Sequence, residues 1–304
     1  MPDANPANAN RGYLAAASAF VIWGIFPLYF HALGQIPALQ VISHRVVWSC
    51  VFVLGLMAVR SELGLVRAAL TNRGVVLRLA ASATLICVNW VVYVFGVTHD
   101  RVVEASLGYF IGPLVNVLLG VILLSERLTP AQWASVALAS LGVGYLTIMA
   151  GGLPLIALTL AFSFAGYGLI RKLAKVESLP GLAAETLLLL PLALADLTWS
   201  ESTGNGAFGP SGTVIDALLI FSGPLTAISL FLFAYGTRRL PYSTVGALQY
   251  ITPSLQFACG VFVLHEPFDH TRAIGFTAIW SALILYAGEG VRLSRKQQAQ
   301  AATA

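Results

Sequence analysis

"GYFIGPLVNVLLGVILLSERL" (Gly108–Leu128) and "LQYITPSLQFACGVFVLHEPF" (Leu248–Phe268) are one pattern written twice. Aligned without a gap, Ile111, Pro113, Gly120, Val121, Leu124 and Glu126 recur as Ile251, Pro253, Gly260, Val261, Leu264 and Glu266. Phe110 gives way to Tyr250 and Asn116 to Gln256, like for like. A repeated apolar run with a proline at its centre poses two questions. One is the solvent in which it folds, and the other is the direction in which each copy points.

Composition answers the first. Of 304 residues, 58% are hydrophobic and only 10% charged, where soluble domains carry about 25% charged residues. So few charges cannot clothe a water-soluble surface, and the chain reads as an all-α integral membrane protein. A crossing helix needs about 20 mainly apolar residues, which selects ten segments: 12–33, 38–60, 75–97, 102–125, 131–150, 154–175, 180–199, 213–236, 242–264 and 271–291. The runs are too long and too evenly apolar for barrel strands. Pro37, Pro130, Pro154, Pro180, Pro241 and Pro267 stand at segment boundaries, where the first helical turn misses no amide donor. Residues 1–11 read as a disordered tail without the marks of a signal peptide. Residues 293–304 read as a second tail, and Ser200–Gly212 as a flexible loop.

The basic residues set the orientation. Assigned to alternate ends of the ten segments, 14 of the 17 Lys and Arg fall on one side and three, Arg45, Arg101 and Arg272, on the other. Both termini are therefore expected in the cytoplasm. The repeated copies lie in spans four and nine, and an odd separation turns the second copy over. The expectation is two inverted five-helix repeats, 12–150 and 151–292, an architecture used by secondary transporters. "SAFVIWG" in span one and "LAFSFAG" in span six give a fainter echo.

With these motifs in hand, the sequence resembles a known family. "FVIWGIFPLYF", "SHRVVWS", "EASLGYFIGPLVNVLLG", "SERLTPAQW" and "AFSFAGYGLIRK" are similar to the RarD branch of the EamA family, within the drug/metabolite transporter superfamily. The resemblance implies a ten-helix protein of the bacterial inner membrane. It also implies export of small metabolites, amino acids among them, through a cavity lined by spans one, three, four, six, eight and nine.

On those spans lie the candidate substrate contacts Trp23, Phe26, Asn89, Trp90, Tyr93, Tyr109, Asn116, Tyr167, Tyr250 and Gln256. The rings fit an amphipathic or aromatic solute, cationic ones included. Asn89, Asn116 and Gln256 serve either a substrate or hydrogen bonds between helices. Pro113 and Pro253 each free a carbonyl and should kink their spans at comparable depths, and Gly112, Gly120 and Gly260 permit close approach and rocking. Ionisable groups inside a bilayer are costly. His44 and Arg45 read as outer-end braces or an anion contact, Glu104 as a first-turn acid, and Glu185 as a partner of Arg171 or Lys172 or a proton carrier.

Other chemistry is absent from the sequence. Cys50, Cys87 and Cys259 are scattered through apolar runs and read as packing residues, with neither disulfide nor metal spacing. "HEPFDH" has its histidines five apart and a proline between them, unlike a zinc helix. No P-loop is present, and no cofactor is expected. Span one lacks the membrane-centred glutamate with which small multidrug members of the drug/metabolite transporter superfamily couple protons, so the resemblance favours facilitated exchange or uniport over proton antiport. The partners expected are a small-molecule substrate and membrane lipid, not nucleic acid, and monomer and homodimer both fit. The alternatives are a proton-coupled drug exporter and, behind it, an intramembrane enzyme or accessory protein.

Overall fold

The structure, a computed structural model, describes residues 6–98, 102–149, 155–263 and 270–302, and every regular element within them is helical. The order is α1 (Pro6–Ala32), α2 (Ala38–Val59), α3 (Leu63–Thr71), α4 (Arg73–Thr98), α5 (Val102–Leu124) and α6 (Pro130–Met149). Then come α7 (Leu155–Leu173), α8 (Ser178–Ser202), α9 (Thr213–Thr237), α10 (Tyr242–Gln249), α11 (Ile251–Ala258) and α12 (His270–Ala302). Among the described residues nine helices are long and apolar enough to cross a membrane. The segment expected as span nine is divided instead. α10 stops at Tyr250, α11 follows, and Cys259–Val263 forms a π-helical turn.

Proline chemistry explains the division. Pro253 has no amide hydrogen for the carbonyl of Gln249, and its ring crowds that carbonyl. The Tyr250 amide bonds three residues back to Ala247 at 3.3 Å, and the ladder restarts from the Tyr250 carbonyl to Ser254 at 3.2 Å. α5 carries Pro113 in the matching place and runs on as one helix.

Four other expectations change. α1 begins at Pro6 and takes in residues assigned to the N-terminal tail, with proline in its first turn. α12 continues to Ala302 through "RKQQAQAA", a run of strong helix formers. The short amphipathic α3 between α2 and α4 was not expected. It buries Val66 and Ala69, and Asn72 after it caps α4 through bonds from the amides of Gly74 and Val75, both 3.1 Å. The loop after α8 is anchored rather than free: the Gln40 side chain donates to Asn205 O at 2.8 Å and accepts from the Ala207 amide at 2.9 Å.

The helices pack in exchanged pairs. α1 lies on α9 as α4 lies on α7, α2 lies on α9 as α4 lies on α8, and α5 lies on α7 as α1 lies on α11. α2 with α8, α5 with α10, and α6 with α12 complete the set. Small residues set the closest approaches, as expected where lipid supplies no hydrophobic drive between helices. A Cβ at Gly246 on α10 would stand 2.6 Å from the Pro113 carbonyl oxygen, and one at Gly142 on α6 would stand 3.0 Å from the Gly275 carbonyl oxygen. In both places backbone meets backbone with no room for a side chain.

Candidate functional site

α1, α2, α4, α5, α7, α9 and the α10–α11 segment enclose a cavity of about 460 Å³ that reaches the α1–α2 connection at Leu33, Gly34 and Ile36. Trp23, Phe26 and Phe30 enter from α1, Asn89, Trp90 and Tyr93 from α4, and Tyr109 and Gly112 from α5. Gln249, Thr252, Pro253 and Gln256 enter from the divided span. Their spacing of i, i+3, i+4 and i+7 is one face of a helix carried across the break.

The ring contacts fix the walls. Tyr93 and Tyr109 meet edge to face at 6.0 Å. Trp23 packs at 5.4 Å on both Phe164 and Phe233 and donates Nε1–H to Ser229 Oγ at 2.9 Å. Behind Trp23 the space is closed by a plug of rings: Phe20 lies 5.9 Å and Phe164 5.2 Å from Phe233, and Tyr167 stacks on Phe233 at 5.9 Å. Among the described residues the cavity thus opens at the α1–α2 end and is sealed at the other.

The sealed end is held by polar contacts. Ser125 adopts a left-handed φ of 53° and turns the chain after α5. Glu126 then accepts from the Tyr242 amide at 2.5 Å, the Ser243 amide at 2.9 Å and Ser243 Oγ at 2.7 Å. A carboxylate here satisfies the first free amides of α10 and complements its dipole. Gly120 leaves the space for it, since a Cβ there would stand 2.8 Å from Glu126 Oε2. Lys172 donates to the carbonyls of Thr237, at 2.9 Å, and Leu240, and Tyr242 donates its hydroxyl to Ala165 O.

Several sequence candidates lie elsewhere. Asn116 is fully buried between α5 and α10 and donates to Gln249 Oε1 at 2.5 Å. It therefore acts behind the wall, on a residue that lines it. Tyr167 belongs to the plug. Tyr250 sits one position, about 100° of helical turn, from Gln249, and so packs into an apolar cluster with Leu107, Phe110 and Phe276. Pro113 does not line the cavity, and Gly260 is buried in the π turn. His44 stacks on Phe208 of the loop after α8, ring centroids 5.5 Å apart. Glu185 is buried away from the cavity, 3.7 Å from Arg171 Nη1 and accepting from Ser82. The Glu104 side chain, Glu266 and "HEPFDH" up to Asp269 lie outside the described residues. Arg45, read as a brace or an anion contact, is buried and lines the cavity.

Known proteins match this chain along nearly its whole length. An uncharacterized transporter of Pseudomonas aeruginosa is 44% identical, covering 95% of this chain and 97% of its own. Protein RarD of Streptomyces exfoliatus is 41% identical, covering 95% of this chain and 92% of its own. The EamA-like transporter family matches residues 10–148. This chain belongs to that family. Membership makes it a multi-pass protein of the bacterial inner membrane and a transporter by kind. A solved crystal structure shares the fold, with a TM-score of 0.71 at 19% identity over 90% of this chain and 96% of that one.

Gln249, Thr252, Phe30 and Phe164 are among the lining residues of this EamA-family chain that sequence reasoning passed over. Gln249 was within reach of the repeat. Carrying the alignment one step back from Phe110 and Tyr250 sets it opposite Tyr109, and both line the cavity. The Nδ2 hydrogens of Asn89 go to Leu160 O at 2.9 Å and Ser163 Oγ at 3.1 Å on α7, so that side chain ties two helices together as well as facing the cavity.

Proposed function

We propose that this protein is a secondary exporter of small amphipathic metabolites, amino acids with aromatic side chains among them, working by alternating access as a uniporter or exchanger. The observation that carries this reading is a cavity of about 460 Å³ with aromatic walls, open at one end and plugged at the other. That volume falls within the range of small-molecule sites. The charge count assigns the open end to the outside, and the ten segments then form two inverted halves with cytoplasmic termini. Support for the halves comes from the exchanged packing: replacing each span by its counterpart five spans on turns the α1–α9 contact into α7–α4 and the α1–α11 contact into α7–α5.

Proteoliposomes loaded with a panel of labelled amino acids test the proposal. Saturable, protein-dependent flux of at least one aromatic member is expected, insensitive to an imposed pH gradient. No flux across the panel would refute it, and flux that follows the pH gradient would transfer the protein to the proton-coupled alternative.

A further inference from the structure

We infer that Arg45 is the anchor for a carboxylate group of the transported solute, so that the cavity selects amphipathic acids over the matching amides and amines. This rests on the reading of the cavity as the transport site.

Arg45 lies seven residues into α2, about 10 Å from its start, and is only 8% exposed. Its Nε–H donates to Thr226 Oγ1 at 2.9 Å, which fixes the plane of the guanidinium. Three rings surround its Cζ: Trp90 at 4.9 Å, Phe26 at 5.5 Å and Phe30 at 5.6 Å. Rings of this kind stabilise a cation but do not neutralise it. Among the described residues no carboxylate lies within ion-pair distance of it, and the cavity wall contains no Asp or Glu.

The contrast with Arg171 is informative. That arginine is buried more deeply still, has Glu185 beside it, and has Nε and Nη1 sealed in protein without a hydrogen-bond partner among the described residues. The nitrogens of Arg45 are not among such sealed atoms, and the residue lines the cavity. A buried cation with no carboxylate partner among the described residues is expensive unless something with negative charge arrives. The free edge of a guanidinium pairs two parallel N–H donors with the two oxygens of a carboxylate. Trp90, Phe26 and Phe30 surround the guanidinium with apolar surface, so the acid must carry an apolar body. The neutral amides of Gln249 and Gln256, also on the wall, offer no charge that would attract an ammonium group in place of the acid. This reverses the sequence-level allowance for a purely cationic solute.

The test uses the detergent-purified full chain and two probes of equal shape, 3-phenylpropionate and 3-phenylpropanamide, titrated against tryptophan fluorescence. Charge-assisted hydrogen bonds of this kind correspond to about 10- to 100-fold in affinity. The wild type should bind the acid tighter than the amide by that factor. Arg45→Gln should lose the preference, and Arg45→Lys should keep a smaller one. Equal binding of acid and amide, absence of acid binding, or an unchanged preference in Arg45→Gln would each overturn the inference. Should Arg45→Gln not fold, the acid-to-amide ratio in the wild type and in Arg45→Lys still decides. Flux of amides or amines but not acids in proteoliposomes would overturn this inference alone and leave the transporter reading standing.

Discussion

Replacing Glu185 by leucine should destabilise the protein more than any ordinary truncation, and the cause lies in what is left behind. The Arg171 side chain is 1% exposed, its Nη1 is 3.7 Å from Glu185 Oε1, and its Nη2 donates to Ser178 O at 2.8 Å. α8 runs against it at Gly181, where a Cβ would collide with the guanidinium, so the arginine cannot swing aside to water. Removing one partner of such a pair costs about 3–5 kcal/mol, whereas removing both and filling the space is close to neutral. Ser82 is not orphaned, because its hydroxyl also donates to Leu79 O at 3.0 Å. The expected result is a fall in Tm of roughly 10 °C for Glu185→Leu in detergent, largely recovered in Arg171→Met/Glu185→Leu. The coupling in that double-mutant cycle should be at least about 3 kcal/mol. A double variant as unstable as the sum of the singles would refute the pairing argument. A second reading of the same residue is tested in the same protein. If Glu185 carried a transported proton, Glu185→Gln would abolish any response of flux to a pH gradient. A clamp between α4, α7 and α8 leaves that response as it is in the wild type.

Glu126→Gln keeps one acceptor at the start of α10 but loses the charge and the second oxygen, a loss of about 1–2 kcal/mol from the closed end. In a background with Cys50, Cys87 and Cys259 replaced by Ala, a single cysteine at the buried Val245 should then react with maleimide at least about five-fold faster, as a 1 kcal/mol shift implies. An unchanged rate would remove Glu126 as a latch. Trp90→Ala deletes the ring nearest Arg45 and should weaken solute affinity by about 3- to 10-fold without lowering expression; wild-type flux would show that this wall does not touch the solute. Tyr250→Phe removes a buried hydroxyl that has no partner among the described residues and should be neutral or slightly stabilising in thermal unfolding. A loss of flux there would place Tyr250 in the transport path.

How far the sequence could be read divides along one line. Depth was legible, because it follows from counting residues along an apolar segment, and Pro37, Pro130 and Pro241 mark starts within a residue of where α2, α6 and α10 begin. Azimuth was not. Helices embedded in lipid and packed on several neighbours are apolar all round, so the period that identifies the buried face of a soluble helix is weak. That is why Trp23, Phe26, Asn89, Trp90, Tyr93, Tyr109 and Gln256 were found in the wall while Tyr250, Tyr167 and Asn116, at plausible depths, turn away from it. α3 escaped because at nine residues it is too short to register as a span and lies along the bundle beside α8. The loop after α8 read as flexible from its glycines. Gly204, Gly209 and Gly212 do take positive φ, yet the same turns bring Ala207 and Phe208 down onto α2.

The two copies of the opening motif also separate what a proline does from what its surroundings decide. Pro113 and Pro253 occupy the same place in the same pattern, and each deprives one carbonyl of its helical donor. α5 nevertheless stays continuous while span nine divides at Tyr250. α5 is gripped on two sides: a Cβ at Gly108 would stand 2.8 Å from Leu160 Cβ on α7, and one at Gly246 on α10 would stand 2.6 Å from the Pro113 carbonyl oxygen. Two close backbones leave little room for the helix to bend. In span nine the halves answer to different neighbours, α10 to α5 and α11 to α1, where a Cβ at Gly24 would stand 2.6 Å from Leu255 Cβ. The π turn after α11 adds a second interruption to the same span. The freed carbonyl is therefore a permission to bend, and the packing on either side determines which copy uses it. The inverted repeat proposed above would need this property, since a transporter with symmetry-related halves can be open at one end only if equivalent helices adopt unequal shapes.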